Sequence, residues 1–436
     1  MKHIYTLILS LLVICTTAQA QWLRVWQSGE SIRYNLAETS TIPYTTAGQT
    51  FTIGQDTYST SEIDSITIGK PVTITWDGAY ATVNVPDNVE GVAVNVNGGD
   101  VTITNTNIWS EQEFILSGTS EAGSLTYIGE YKTKFHLNDL NLTSTTGAAI
   151  DIQCGKRIDL IIEDGTTNSL SDFASGTQKA AFNCQGHLEI SGLGTLNIEG
   201  NCNHAFRSKE YIWLKKNTGA INIIKAAADG IHCGEFFLMN GGDITISGVG
   251  ADGLQVETDA TSDEELNGQF IMNDGSIQIT MTAEDSKGIR LDADDTDATI
   301  VPEMYIYGGT IAVNVTNESL GSKAIDCDGN ITIGSSSTSP TIDLIVAATR
   351  YEDSNGETSR ATGLKAEGNI VIANGATTIT ASGKKSRGVK AASLTATGGS
   401  LTIAASGNKS YAYNSETAQT GYTYVENGGT ITITYE

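Results

Sequence analysis

One four-residue pattern recurs through most of this chain, and its spacing restricts the fold more than any other feature. The pattern is a small residue, a bulky apolar one, a polar one and a small or apolar one. It reads A-I-D-I at Ile150, A-F-N-C at Phe182, A-F-R-S at Phe206, G-I-H-C at Ile231 and G-L-Q-V at Leu254. It continues as G-I-R-L at Ile289, A-I-D-C at Ile325, G-L-K-A at Leu364, G-V-K-A at Val389 and A-Y-N-S at Tyr413. The shortest intervals are 23 to 25 residues, and longer ones carry polar insertions such as TDATSDEEL and DADDTDATIVPE. Repetition at that period marks a solenoid, in which each unit buries its apolar face against its neighbours.

A second signature recurs with the first: a Gly-rich turn followed by strict alternation, as in GGDITIS at Gly241, GGTIAVN at Gly308, GGSLTIA at Gly398 and GGTITIT at Gly428. Period-two alternation of β-branched residues between Gly and Asn means short strands, and no segment keeps a 3.6-residue period. A unit of two or three such strands without a helix fits one rung of a parallel β-helix, with rungs stacked about 4.8 Å apart. Alternation also sorts the residues. The second and fourth positions point inward, giving one column of Ile150, Phe182, Phe206, Ile231, Leu254 and Ile289, and another of Ile152, Cys184, Ser208, Cys233, Val256, Leu291 and Cys327. Cysteines in that column act as small hydrophobes, with Cys184 and Cys233 two rungs apart and beyond disulfide reach.

The ends differ from the middle. Residues 1–20, MKHIYTLILSLLVICTTAQA, combine Lys2, an apolar run and Ala-Gln-Ala, which reads as a cleavable secretory signal and an exported protein. No later apolar run approaches the roughly 18 to 20 residues that span a bilayer, so no membrane span is expected. Residues 21–69 are β-like but out of register with the repeat and are expected to form a small N-terminal module or cap, leaving 70–436 to the solenoid. The chain stops on the strand GGTITITYE, whose edge is open to self-association unless blunted by Tyr435 and Glu436. The net charge is −25, which disfavours nucleic acid and anionic membranes as partners and makes a divalent cation plausible.

From Glu113 to Asp172 the text EFILSGTSEAGSLTYIGEYKTKFHLNDLNLTSTTGAAIDIQCGKRIDLIIEDGTTNSLSD, with the later DGI and DGL units and their GG strands, resembles bacterial secreted carbohydrate-binding β-helix proteins. That family binds cellulose and polygalacturonate, and its fold is related to that of pectate lyases. The resemblance covers roughly residues 72–436. It implies a right-handed single-stranded parallel β-helix of about ten regular rungs and an all-β class. It also implies polysaccharide binding with calcium as cofactor and no established turnover.

Three groups of side chains are candidates for that chemistry. Asp229 and Asp252 stand at equivalent positions of adjacent rungs, where two carboxylates about 5 Å apart would be relieved by calcium, with Asp285 as a third ligand. The alternative is that Asp before Gly is turn chemistry, the side chain capping backbone. The inserted LDADDTDA offers Asp292 and Asp294 as further metal ligands or as a solvated acidic loop. At the outward third position and just before the tetrapeptide, Lys287, Arg290, Lys323, Lys365, Arg387 and Lys390 form a basic strip. Such a strip suits a polyuronate chain; equally, it neutralises neighbouring acids such as Asp326 and Glu367. Aromatic stacking on sugars could come from Trp213, Tyr305, Tyr307, Tyr422 or Tyr424. The rival classes are a calcium-dependent lyase of pectate-lyase type, which would need a base such as Arg290 or Lys287, and a purely structural surface spacer or adhesin.

Overall fold

The computed structural model describes residues 22–27, 30–35, 42–45, 49–69, 71–86, 89–293, 299–352, 354–413 and 424–435. Residues 1–20, expected to be a secretory signal, and the proposed metal ligand Asp294 fall outside them, as does Tyr422. Every named regular element is a strand, and no helix among the described residues is long and apolar enough to cross a membrane.

The chain forms two compact units. The first takes in residues 1–73 with 84–90 and 112–114. In it, strand Trp22–Gln27 pairs antiparallel with both Glu30–Asn35 and Ser65–Gly69, and a small meander runs through Tyr44–Thr45, Thr50–Ile53 and Asp56–Ser59. Its own core is Leu23, Val25, Phe51, Ile53 and Tyr58.

The second unit is three rows of parallel strands, each chain segment visiting the rows in a fixed order. The first row is a sheet of thirteen strands among the described residues, parallel except at the antiparallel strand Val92–Asn97. The other two rows merge into one sheet of 22 strands, because the long strands Leu188–Gly200 and Ile212–Ala226 run continuously through both rows. The result is a β-helix-like solenoid with no helix among the described residues.

The tetrapeptides form the first row in the register that alternation predicts. Ile150, Phe182, Phe206, Ile231, Leu254, Ile289, Ile325, Leu364, Val389 and Tyr413 are successive partners. The fourth positions follow as Ile152, Cys184, Ser208, Cys233, Val256, Leu291 and Cys327. Phe182 and Phe206 meet with ring centroids 4.9 Å apart, and Phe237 and Phe270 stack at 5.4 Å in the second row. Each such side chain, fully withdrawn from water, contributes about 1.5–3 kcal/mol. The cysteines are free thiols, and burial pushes Cys184, Cys233 and Cys327 up to about 12, so they are inert packing groups.

The glycine before the bulky residue has a different reason than a turn. Gly230 and Gly253 do not adopt positive φ; a Cβ on Gly230 would lie 2.6 Å from the Gly253 carbonyl and 2.9 Å from Ile246 of the third row. The residue is small because another row's isoleucine fills the space above its Cα. The GG turns do need left-handed backbone. Gly242, Gly309 and Gly399 have φ of 94°, 76° and 64°, and a Cβ on Gly309 would sit 2.3 Å from the Gly275 carbonyl.

Gly309→Ala should therefore lower the melting temperature through both a conformational cost of about 1–3 kcal/mol and a backbone clash. Gly356→Ala has a similar φ of 82° but nothing within 4 Å, so it should show only the smaller conformational part. Paired thermal melts check the difference, and equal losses would remove the clash from the account.

Candidate functional site: the outward face of the first row

Parallel stacking turns each sequence position into a column, and three columns make the outward face of the first row. The corner column, just before each tetrapeptide, runs His204, Asp229, Asp252, Lys287, Lys323, Thr362 and Arg387. The middle column is Asp151, Asn183, Arg207, His232, Gln255, Arg290, Asp326, Lys365 and Lys390. The far column, just after each tetrapeptide, includes Glu257, Asp292, Asp328 and Glu367. Sequence reading named Asp292 as a metal ligand and Glu367 as an acid that the strip neutralises; it missed Glu257 and Asp328, and that all four share one repeat position.

With all three columns in place, the basic strip is an ionic lattice. Arg290 reaches Asp292 at 2.7 Å and Asp252 at 3.4 Å. Lys365 bonds Asp326 at 2.8 Å and Glu367 at 3.0 Å, and Lys390 takes Glu367 at 2.9 Å. Lys323 pairs with Asp285 at 3.1 Å, and Lys287 donates to the Asp285 carbonyl at 3.0 Å. Arg387 continues the corner column beside Thr362. Burial opposes the charge on Lys365, yet Asp326 and Glu367 outweigh it and raise the amine above its ordinary value.

The aspartates of the corner are likewise engaged. Asp229 accepts the Asp252 N–H through Oδ1 at 3.0 Å, and Asp252 accepts the Lys287 N–H through Oδ1 at 2.7 Å. Each thus caps the backbone of the following rung, a cross-rung form of the capping alternative. Asp229 Oδ2 lies 3.0 Å from His204 Nδ1 and 3.1 Å from His232 Nδ1, the two rings stacking at 4.3 Å. Asp285 does not join Asp229 and Asp252: it turns the chain at φ 47° and faces Lys323. Asp292 is held by Arg290 and by Gln255 at 3.3 Å. Among the described residues, donors that could share one metal ion meet in two places, His204–Asp229–His232 and His187–Glu210–Glu235, and neither includes Asp252, Asp285 or Asp292.

His204 was not foreseen, although it occupies the same repeat position as Asp229. Burial works against a charged His232, but Asp229 and Glu257 outweigh it and raise the imidazole to about 9. Burial would raise Asp229, and the two histidines instead hold it well below the usual carboxylate range.

Toward the N-terminal rungs the same face changes character. Asn183 donates to Asp151 at 2.7 Å and accepts from Arg207 at 3.1 Å, while Gln153 donates to Asp151 at 2.7 Å. Asp151, Gln153 and Asn183 line an open cleft of about 670 Å³ with Thr126, Gln178, Lys179 and Gln185. Its walls are amides and hydroxyls, which both donate and accept hydrogen bonds, with the Asp151 carboxylate as an acceptor and the Lys179 ammonium as a donor. The aromatic candidates lie elsewhere: the Lys215 ammonium stands 3.1 Å over the Trp213 ring, and Tyr305 and Tyr307 stack on each other at 5.5 Å. Tyr424, on a second-row strand, is exposed.

A family model described as "Carbohydrate-binding domain-containing protein" matches residues 97–409, which hold the cleft and the ionic lattice. Among solved structures, the chain is similar to a polysaccharide lyase-like protein from C. thermocellum at 22% identity and a TM-score of 0.48, over 62% of this chain and 99% of that one. No curated protein matches.

The histidine–aspartate pair makes stability depend on pH. The His232 pKa is raised from 6.5 to about 9, so its contribution is fully present below 6.5 and is lost as pH rises through 9. Asp229, depressed, contributes above the ordinary aspartate range and loses that contribution in acid. Thermal or urea unfolding of His232→Gln against the parent should show a stability gap of about 3 kcal/mol near pH 6 that closes by pH 10. A gap independent of pH would mean that the imidazole acts by shape alone.

Proposed function

The chain belongs to the carbohydrate-binding domain-containing family, and we propose that it is an exported, non-catalytic polysaccharide-binding protein whose glycan lies along the outward face of the first row. The observation that carries this reading is the cleft at Asp151, Gln153, Asn183 and Gln185, where polar side chains repeat from rung to rung. Rungs about 4.8 Å apart present their hydrogen-bonding groups at a spacing comparable to one pyranose ring of an extended chain. Three strand rows visited in constant order support a right-handed single-stranded β-helix as the scaffold, because parallel crossovers are right-handed in nearly all cases.

The ionic lattice favours a neutral, cellulose-like chain over polygalacturonate. Lys365, Lys390, Arg290 and Lys323 already face carboxylates, so a polyuronate would have to displace them on a protein of net charge −25. The Asp229 and Asp252 oxygens already accept backbone N–H groups and face imidazole or guanidinium, which leaves recognition to hydrogen bonds rather than to bridging calcium.

Affinity electrophoresis on cellulose-derived glucans, xylan and polygalacturonate tests this. Gln153→Ala and Asn183→Ala should each weaken retention on the neutral glycan about tenfold, as expected for one or two lost hydrogen bonds. Lys365→Ala and Lys390→Ala should leave it unchanged, and added calcium should not strengthen it. Polygalacturonate retention that depends on the lysines would overturn the neutral-glycan reading. Absorbance from unsaturated uronate products would instead mark a lyase.

A further inference from the structure

A second cluster lies away from this face, at the start of the second row. Glu210 and Glu235 occupy one column, just ahead of the paired strands Ile212–Ala226 and Phe236–Met239, with Tyr211 between Glu210 and its strand. His187 belongs to the adjoining column, where its ring stacks on Tyr211 at 4.6 Å and Tyr211 stacks on Phe236 at 4.4 Å. That aromatic stack supports one face of the imidazole. The inserted segment 257–268 returns to the same place: Gly268 N–H donates to the Glu235 carbonyl at 2.8 Å, and Glu264 sits 4.0 Å from His187 Nε2.

One ligand atom each from His187, Glu210 and Glu235 falls within 4.8 Å of the other two. Glu235 is 2% exposed, and its Oε2 is buried with no hydrogen-bond partner. A carboxylate oxygen in that condition needs a proton or a cation, since an unpaired buried anion costs several kcal/mol. Lys209 meets Glu210 at 3.2 Å. Ligands around a tetrahedral ion at about 2.0–2.2 Å stand roughly 3.3–3.6 Å apart, so small rotations of the partly exposed His187 and Glu264 close the set. An imidazole among carboxylates selects a transition ion over calcium, which takes oxygen ligands.

We propose that His187, Glu210, Glu235 and Glu264 bind one divalent transition-metal ion of the zinc type, which ties the inserted loop 257–268 to the rungs beneath it. The site is separate from the sugar-binding face and stands whether or not that reading holds.

The test uses the full chain after chelator treatment, titrated with zinc by calorimetry and with cobalt by visible absorption. One zinc per chain is expected, with slower proteolysis of the 257–268 segment. Cobalt should give ligand-field bands of a mixed nitrogen and oxygen site. His187→Ala and Glu264→Ala should each weaken zinc binding about tenfold or more, because loss of a direct ligand costs at least as much as loss of its support. Glu264 lies on the inserted loop, so its variant keeps the test valid if changes nearer the rungs disturb folding; unchanged far-ultraviolet dichroism checks this. Absence of zinc uptake, uptake unchanged in both variants, or calcium competing at equal affinity would overturn the proposal. Loss of zinc in His204→Ala with both other variants intact would place the ion on the Asp229 triad and overturn it too.

Discussion

Each rung of the solenoid completes the backbone hydrogen bonds of the next, and at a parallel-strand spacing of about 4.8 Å this leaves no freedom of register. A slip of one residue would turn the apolar column of Ile231, Leu254 and Ile289 outward and drive the polar column of His232, Gln255 and Arg290 into the core. Because register is fixed, residues at one repeat position become spatial neighbours however far apart they lie in the chain. Lys287 and Asp252 are 35 residues apart and share a 2.7 Å hydrogen bond.

The columns therefore act as units of design. Inside, they are apolar, apart from small groups such as Ser208, whose hydroxyl donates to the Gly186 carbonyl at 2.6 Å. At the corner they change from His204 and Asp229 to Lys287 and Lys323, and the electrostatics change with them. A carboxylate caps the next rung's N–H where the column is acidic. Where it turns basic, Ser286 and Ser322 take over within the turn, Ser322 Oγ accepting the Ser286 N–H at 2.9 Å. The corner N–H itself passes from a carboxylate to the Ser286 carbonyl, which accepts the Lys323 N–H at 2.9 Å, while the surface charge reverses. On the outward face, three adjacent columns of mixed sign let long cations lie between acids, and this leaves the amide-rich N-terminal rungs as the part of the face whose hydrogen-bonding groups open into a cleft.

Insertions are where the columns stop predicting. Between Glu257 and Gly268, residues 258–267 belong to no column, yet they bring Glu264 to His187 across a long stretch of chain. Its placement depends on its own contacts, such as Asn267 bonding the Asp259 carbonyl at 2.7 Å, and on the Gly268 N–H that returns it to Glu235.

The sequence by itself determined the class of fold, the first-row register, the inward and outward sets and the free, buried cysteines, because each follows from a period of two within strands and of about two dozen between them. It placed Asp229 and Asp252 on adjacent rungs, and by the same alignment it held His204 and the acidic column of Glu257, Asp292, Asp328 and Glu367. Only the tertiary structure decided what these residues do. Side-chain direction within a column depends on what the neighbouring columns offer, so Asp229 became a cap and a histidine partner, Asp285 turned away to Lys323, and the basic strip became a set of ion pairs. The meeting of His187, Glu210 and Glu235 with Glu264 was beyond pattern reading. It joins two columns and an insertion, and no single repeat position brings those together.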